Sequence, residues 1–253
     1  VLEKIKQFDA DGNVTKLDEF GDVKIERIPS DLSLDELLTK VVLNTTGSAN
    51  IKSAKKNLSK VKNMVQQSTL KSDKIPVPLK STSYFTNKGI QADKMDFNGM
   101  VVQKQYFDGK TGYQFSQQTG KKEMSADEIN MALLEQGVVP ELNWLNLKEN
   151  KPTLMGIETE NGKMYYVLKF SIGNYAEIFH YYDKSTLLKT KTVKVINNNG
   201  ESMTSVAEYS DFKAINGINF PHQSMVNLGP ISFSISVDSI VINGVVDLKD
   251  FTE

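Results

Sequence analysis

The chain has 253 residues, 39% of them hydrophobic, with 30 basic and 31 acidic side chains and a net charge of −1. That balance gives no global field to attract nucleic acid or an anionic membrane, so any charge-based partner has to be met by a local patch. Cysteine is absent and histidine is confined to His180 and His222, which excludes disulfides, thiolate chemistry and zinc sites of the cysteine type.

In chain order, Val1, Leu2, Ile5 and Phe8 mark a short helical piece, followed by a turn at Asp11-Gly12 and a polar connection to Pro29. Val1 to Phe8 has neither the basic start nor the apolar stretch of a secretory signal, so the chain reads as an excised or processed product with any targeting signal upstream. Ser33-Leu34-Asp35-Glu36 has the S-x-x-E form of a capping box, and Leu34, Leu37, Leu38, Val41 and Val42 follow on one helical face. This predicts a helix from about Asp35 to Asn44 with Gly47 as its stop.

A second helix is expected over Asn50 to Val61. It carries Lys52, Lys55, Lys56 and Lys60, with Lys62 just beyond, and no acid occurs between Glu36 and Asp73. Such a basic face is either a contact for an anionic membrane or an ordinary solvated surface, the second being the commoner role of exposed charge. A further capping box at Ser125-Ala126-Asp127-Glu128 starts a helix through Ile129, Met131, Leu133 and Leu134, which Pro140 is expected to end.

The remainder alternates between apolar and polar residues. Strands are expected over Ser81 to Thr86, Gly89 to Phe97, Val101 to Phe107, Gly112 to Ser116, Thr153 to Thr159, Lys163 to Phe170, Tyr175 to Tyr182, Leu187 to Val195, Met203 to Phe212 and His222 to Leu228. The cleanest is Ile231 to Asp238, with Ile231, Phe233, Ile235 and Val237 on one face and serines on the other. The apolar positions then shift to Ile240 and Ile242, a change of parity that predicts a β-bulge or bend near Asp238. Asn98-Gly99, Asp108-Gly109, Asn161-Gly162, Asn199-Gly200, Asn216-Gly217 and Asn243-Gly244 are hairpin signals, because Asn, Asp and Gly accept the positive φ of tight turns. An antiparallel meander with few helices is an α+β fold, and those helices are the available cover for its apolar face.

Chemical motifs are sparse. Asp9-Ala10-Asp11-Gly12-Asn13 resembles a calcium loop, but its glycine falls at the fourth position and Phe20 stands where the bidentate glutamate belongs. Neither histidine has the neighbours of a zinc-peptidase motif; His180, in Ile178-Phe179-His180-Tyr181-Tyr182, reads as a strand residue bonded to a neighbour. No G-x-S-x-G elbow, Walker loop or dinucleotide fingerprint occurs, and paired carboxylates from separate strands stay unsupported. We therefore expect no catalytic residue, no metal and no cofactor. Met95, Met100, Met164, Met203 and Met225, with Phe97, Phe107, Tyr166, Phe170 and Phe233, suit either an ordinary core or an adaptable acyl-chain pocket.

The order of four segments carries a resemblance: the capped helix Ser33 to Thr46, the lysine-rich Asn57 to Lys62 leading into a first strand, Phe107-Asp108-Gly109-Lys110-Thr111-Gly112-Tyr113, and Tyr209 through Asn216-Gly217 to Pro221. Together they resemble lipoprotein-carrier domains of the LolA/LolB-like class over residues 31–253. Val1 to Gly12 with Leu17-Asp18-Glu19-Phe20-Gly21 is similar to the closing segment of an insulinase-like (pitrilysin) zinc peptidase domain. In Bacteroidetes-type bacteria such a domain is followed by an extension like the rest of this chain. The resemblance implies a tail at 1–30 belonging to a preceding peptidase domain. It also implies a strongly curved antiparallel sheet, a half-barrel with helices on its concave side, and a periplasmic or outer-membrane-associated location. The implied partners are an acyl chain, a lipoprotein or a hydrophobic peptide, the preceding peptidase domain, and a membrane contacted peripherally. Peptidase activity does not transfer, since the zinc motif would lie outside this chain. The stripe Ile231, Phe233, Ile235 and Val237 is the candidate wall of the apolar groove. The rival reading is a structural module that docks on the peptidase domain without any small ligand.

Overall fold

The computed structural model describes residues 27–198 and 201–252; the N-terminal helical piece, the Asp11-Gly12 turn, the calcium-like loop and the Asn199-Gly200 turn fall outside them. A two-residue strand, β1 (Arg27–Ile28), precedes helices α1 (Leu34–Thr45) and α2 (Ile51–Leu58). Six strands follow: β2 (Asn63–Ser72), β3 (Ile75–Thr86), β4 (Gln91–Phe97), β5 (Met100–Phe107), β6 (Gly112–Ser116) and β7 (Gly120–Glu123). Helices α3 (Ala126–Leu134) and α4 (Pro140–Trp144) interrupt the sheet. The chain then runs through β8 (Thr153–Glu160), β9 (Lys163–Ile172), β10 (Ala176–Asp183), β11 (Lys189–Asn198), β12 (Glu201–Ile215), β13 (Ile218–Leu228) and β14 (Ile231–Ile242), and ends in α5 (Lys249–Thr252).

All fourteen strands form one antiparallel sheet in the order β1-β8-β9-β10-β11-β12-β13-β14-β2-β3-β4-β5-β6-β7. The last strand pairs with the first long one, β14 with β2, so the two ends of the meander are joined at mid-sheet. The sheet is open, with β1 and β7 at its edges, and it has to be strongly curved. Ile129 and Ala132 of α3 pack on Phe107 of β5, while Met131 and Leu134 pack on the cluster holding Phe170 of β9. Eight strands separate β9 from β5. Laid flat at about 4.8 Å per strand they would stand some 40 Å apart, whereas nine helical residues span about 14 Å. Both sides must curl around α3, which puts that helix inside the half-barrel.

Each helix has a local cause and a buried face. In α1 the Glu36 carboxylate accepts the Ser33 N–H at 2.9 Å while the Ser33 hydroxyl caps the Glu36 N–H, and Gly47 terminates the helix at φ 55°. Leu37, Leu38, Val41 and Val42 are buried, each side chain contributing up to about 1.5–3 kcal/mol. They face Leu168, Ile178 and Tyr182 on one side and Met64, Ile218 and Phe220 on the other. Helix α2 is capped by Asn50 and buries Ala54; it stops at Leu58, short of the expected Val61, because Asn243 binds the Lys60 carbonyl and the Lys62 N–H and draws the chain into β2.

Two sequence expectations need correction. Pro140 does not end the helix begun at Ser125, which closes at Leu134; it opens α4, where a missing N–H costs nothing. Asn243-Gly244 is not a hairpin: Asn243, at φ 58°, terminates β14 and serves as the clamp just described. Helices α1 to α4 lie on the concave face as expected, whereas α5 packs on the convex one, where Phe251 stacks on Tyr84 and its carbonyl accepts the Tyr113 hydroxyl. At Asn98-Gly99, Asn161-Gly162 and Asn216-Gly217 both turn residues have positive φ, the hairpin geometry expected of them. Asp108-Gly109 instead sits in a four-residue turn, with the Asp108 carboxylate accepting the Lys110 and Thr111 N–H groups at 2.8 Å each.

Candidate ligand groove on the concave face

Register assigns every strand residue to a face. Met64 of β2 lies opposite Ile242, and Gln66 opposite Ile240, so both isoleucines share the face that carries the buried Met64 and the partly buried Phe85. The ladder slips between Val237 and Ser239, after which Val237 lies opposite Ser68 and Ile235 opposite Leu70. Ser68 and Leu70 are on the same face as Met64 and Gln66. The bulge expected near Asp238 is therefore present, and it keeps Ile231, Phe233, Ile235 and Val237 on the concave side together with Ile240 and Ile242.

The two halves of this stripe differ in cover. Ile240 and Ile242 pack under α1 and α2 with Val42 and Ala54. The four residues before the bulge are not buried; Ile231 and its cross-strand neighbour Leu228 are 36% and 38% exposed. Val226 lies opposite Phe233, and the buried Leu70 and Leu79 continue the surface across β2 and β3. The result is a partly buried apolar shelf at the end of the half-barrel, lying outside the clusters that the helices pack on.

Between shelf and helices the concave face turns polar. A cavity of about 260 Å³ lies beneath the connection from α3 to α4, bounded by Gln66, Phe85, Trp144, Thr192 and Phe220. A second, of about 230 Å³, opens on the other side of Lys189 and Tyr209, against Pro140, Glu141, Phe212 and Pro221. None of the four stripe residues lines either one. Two ion pairs tie the connection to β11: Lys194 to Glu135 at 2.7 Å and Lys189 to Glu141 at 3.4 Å. The Tyr182 hydroxyl donates to Glu141 at 2.8 Å, and the Trp144 indole N–H donates to the Leu134 carbonyl at 2.7 Å. Burial opposes the charged form of Lys189, but Glu141, Tyr209 and Glu135 together outweigh it and raise the lysine pKa. Burial likewise works against Glu135, and Lys194 overcomes it, holding the carboxyl below its usual range.

His180 sits in this region with its Nδ1 3.1 Å from the Thr192 hydroxyl and its ring stacked on Trp144 at 5.3 Å. Burial, reinforced by Lys189 and Lys194, holds its pKa well below that of a free imidazole, so the ring is neutral at physiological pH. Its place is that of the bonded strand residue expected from its surroundings. His222 Nδ1 lies 3.1 Å from the Phe220 carbonyl. Among the described residues no three His, Asp or Glu side chains come together as a metal site. Asp93, on the concave face opposite Ser83, has its pKa raised, with burial the largest cause and Glu135 adding to it.

Sequence reasoning placed Ile231, Phe233, Ile235 and Val237 on one face because alternation is local. It missed the ion pairs, since Glu135 and Lys194 lie 59 positions apart and nothing in the spacing joins them. It also set no bounds for β2, whose Gln66-Gln67-Ser68-Thr69 stretch is polar on both faces, and did not foresee β7. The start of β3, Ile75-Pro76-Val77-Pro78, was masked by its prolines. They are tolerated because pairing with β4 begins only at Lys80, leaving this stretch bonded on one side.

An open antiparallel half-barrel wrapped around short helices is a LolA-type fold. The chain resembles the structure of a LolA superfamily protein from Nitrosomonas europaea, with a TM-score of 0.51 at 13% identity over 79% of this chain and 97% of the other. It also resembles a domain assigned to outer membrane lipoprotein sorting from Vibrio parahaemolyticus, with a TM-score of 0.50 at 8% identity over 79% and 95%. A DUF1329 family protein from Desulfovibrio piger gives a TM-score of 0.50 at 12% identity over 79% and 94%. No family model and no curated protein sequence matches this chain.

Proposed function

We propose that this chain is a non-catalytic carrier-type domain that holds a hydrophobic ligand, an acyl chain of a lipid or lipoprotein or an apolar peptide, on its concave face. The observation that carries this is the stripe Ile231, Phe233, Ile235 and Val237, kept by a bulge on the inner side of the sheet. Ile231 is exposed and Phe233, Ile235 and Val237 are half-buried, a row of apolar side chains outside the helix-packed clusters on which a hydrophobic ligand could lie. The two cavities beside Lys189, at about 230 and 260 Å³, are below the usual size of ligand pockets, whereas a third of about 350 Å³, between Leu133, Trp144 and Phe170, reaches it. The fold shared with the lipoprotein-sorting domain supports the ligand class and a periplasmic or outer-membrane-associated location. On this reading residues 1–30 are the tail of a preceding insulinase-like zinc peptidase domain of a Bacteroidetes-type bacterium, and residues 31–253 form its C-terminal extension.

The test is native mass spectrometry of the purified chain, then organic extraction and lipid analysis, with a fatty-acyl probe added to the stripped protein. A bound acyl species, or saturable loading that Phe233→Ser abolishes, is the expected result. A clean mass together with failed loading overturns the carrier reading in favour of a docking module for the peptidase domain.

A further inference from the structure

The end of the half-barrel opposite the shelf gathers seven exposed lysines, with Asp108 the one acid in the turns that carry them. Lys52, Lys55 and Lys56 recur at helical spacing on α2, facing away from the buried Ala54, and Lys60 and Lys62 extend the row toward β2. All five are exposed. Two further exposed lysines join them through tertiary contacts that the sequence does not reveal. The Asn87 N–H donates to the Lys62 carbonyl at 3.1 Å, which brings the β3–β4 turn and Lys88 to this end. Gly109 lies against the Lys88 carbonyl, which adds the β5–β6 turn and Lys110. Among the described residues none of the seven makes an ion pair, although ten other basic side chains do. The acid in these turns, Asp108, is held by the backbone N–H groups of Lys110 and Thr111.

We propose that this lysine end is a docking surface for an anionic lipid bilayer, resting on the carrier reading above for its biological sense but not for its chemistry. Charge complementarity selects the partner. The patch is made of lysines, hydrated point charges on flexible stems that suit a fluid array of headgroups. Residues 50–62 and the turns at 87–90 and 108–111 contain no aromatic side chain on which a nucleic-acid base could stack. The charge is local, since the whole chain carries only −1. Docked this way, the shelf at the opposite end points away from the bilayer surface.

Co-flotation of the intact chain with vesicles tests the proposal. Expected is binding to vesicles containing phosphatidylglycerol, none to pure phosphatidylcholine, and loss when ionic strength rises from about 0.01 to about 0.15 M, which shortens the screening length from about 30 to about 8 Å. Each lysine contributes about fivefold to partitioning, so K52E/K55E/K56E lowers it at least a hundredfold while the circular dichroism spectrum is unchanged. K88E/K110E, on other elements, lowers it about twentyfold or more. Equal binding to neutral vesicles, unchanged binding of either variant, or tighter binding to a single-stranded oligonucleotide overturns the assignment. Lipid extraction reports on the shelf independently, so failure of one reading is distinguishable from failure of the other.

Discussion

Val237 and Ile240 occupy the same face of β14 although they are three residues apart, a spacing that sends side chains to opposite faces of a regular strand. The register slip between Val237 and Ser239 restores the match, and Asp238, the extra residue, points its carboxylate at the Thr69 hydroxyl at 2.7 Å and the Lys80 ammonium at 3.1 Å. One residue thus lets a single strand serve the shelf at one end and the packed core at the other.

Removing that residue should undo the arrangement. Deletion of Asp238 turns Ile240 and Ile242 to the convex side and takes two apolar side chains from the cluster around Val42 and Met64. Full burial would be worth about 1.5–3 kcal/mol each; for these partly buried side chains the loss is about 2–4 kcal/mol, a sizeable part of the stability of an ordinary domain. Urea denaturation should show a much lower midpoint or no cooperative transition. Asp238→Ala, which keeps the count and removes only exposed contacts, should cost less than about 1 kcal/mol.

The shelf should be separable from the core. Phe233 is half-buried, so Phe233→Ser is expected to lower affinity for a fatty-acyl probe by at least tenfold, about 1.4 kcal/mol, with thermal unfolding shifted by only a few degrees. Phe220→Ser, at a buried position of the same face on β13, should instead lower stability by about 3 kcal/mol or more. Parallel probe titrations and thermal melts decide between the two behaviours. Equal loss of affinity and stability at Phe233 would count against a ligand surface there.

Glu141 is the keystone of the polar centre, since it receives both the Tyr182 hydroxyl and the Lys189 ammonium while remaining almost fully buried. Glu141→Ala should cost about 2–4 kcal/mol, because it strands a half-buried cation and a buried hydroxyl. Glu141→Gln retains an acceptor for Tyr182 and should cost less. Pairing Glu141→Met with Lys189→Met should recover at least half the loss, because neither charge is then left alone. A denaturant double-mutant cycle measures the coupling, and additivity of the two single changes would contradict the pairing.

Acid should weaken the fold through His180. Its folded pKa lies well below the unfolded value of about 6.5, so the unfolded chain takes up the proton first. The stabilisation is complete above about pH 6.5 and declines as pH falls toward the folded pKa, with a limiting slope of about 1.4 kcal/mol per pH unit from this group. Asp93 acts in the opposite sense: its raised pKa makes the folded state the better proton acceptor at lower pH, starting near its folded value. His180→Gln should flatten the profile between pH 7.5 and 5 in urea titrations. An unchanged slope would show that the ring is not buried as a neutral base.

The local features were legible in the sequence. Ser33 and Ser125 cap their helices because each side chain satisfies an N–H group three residues on, and Asn98-Gly99, Asn161-Gly162 and Asn216-Gly217 turn the chain because those residues tolerate positive φ. The alternation of Ile231 to Val237 and the break in parity after it fixed both a face and a bulge, since side-chain direction in a strand follows from position alone. Tertiary structure decided what no short window contains. It paired β14 with β2, joined Lys194 to Glu135 and Lys189 to Glu141, and gathered Lys88 and Lys110 beside α2. It also determined which half of the concave face the helices bury. These outcomes depend on closing the chain over long separations, where the free energy comes from the total apolar surface and charge that the whole curved sheet can enclose.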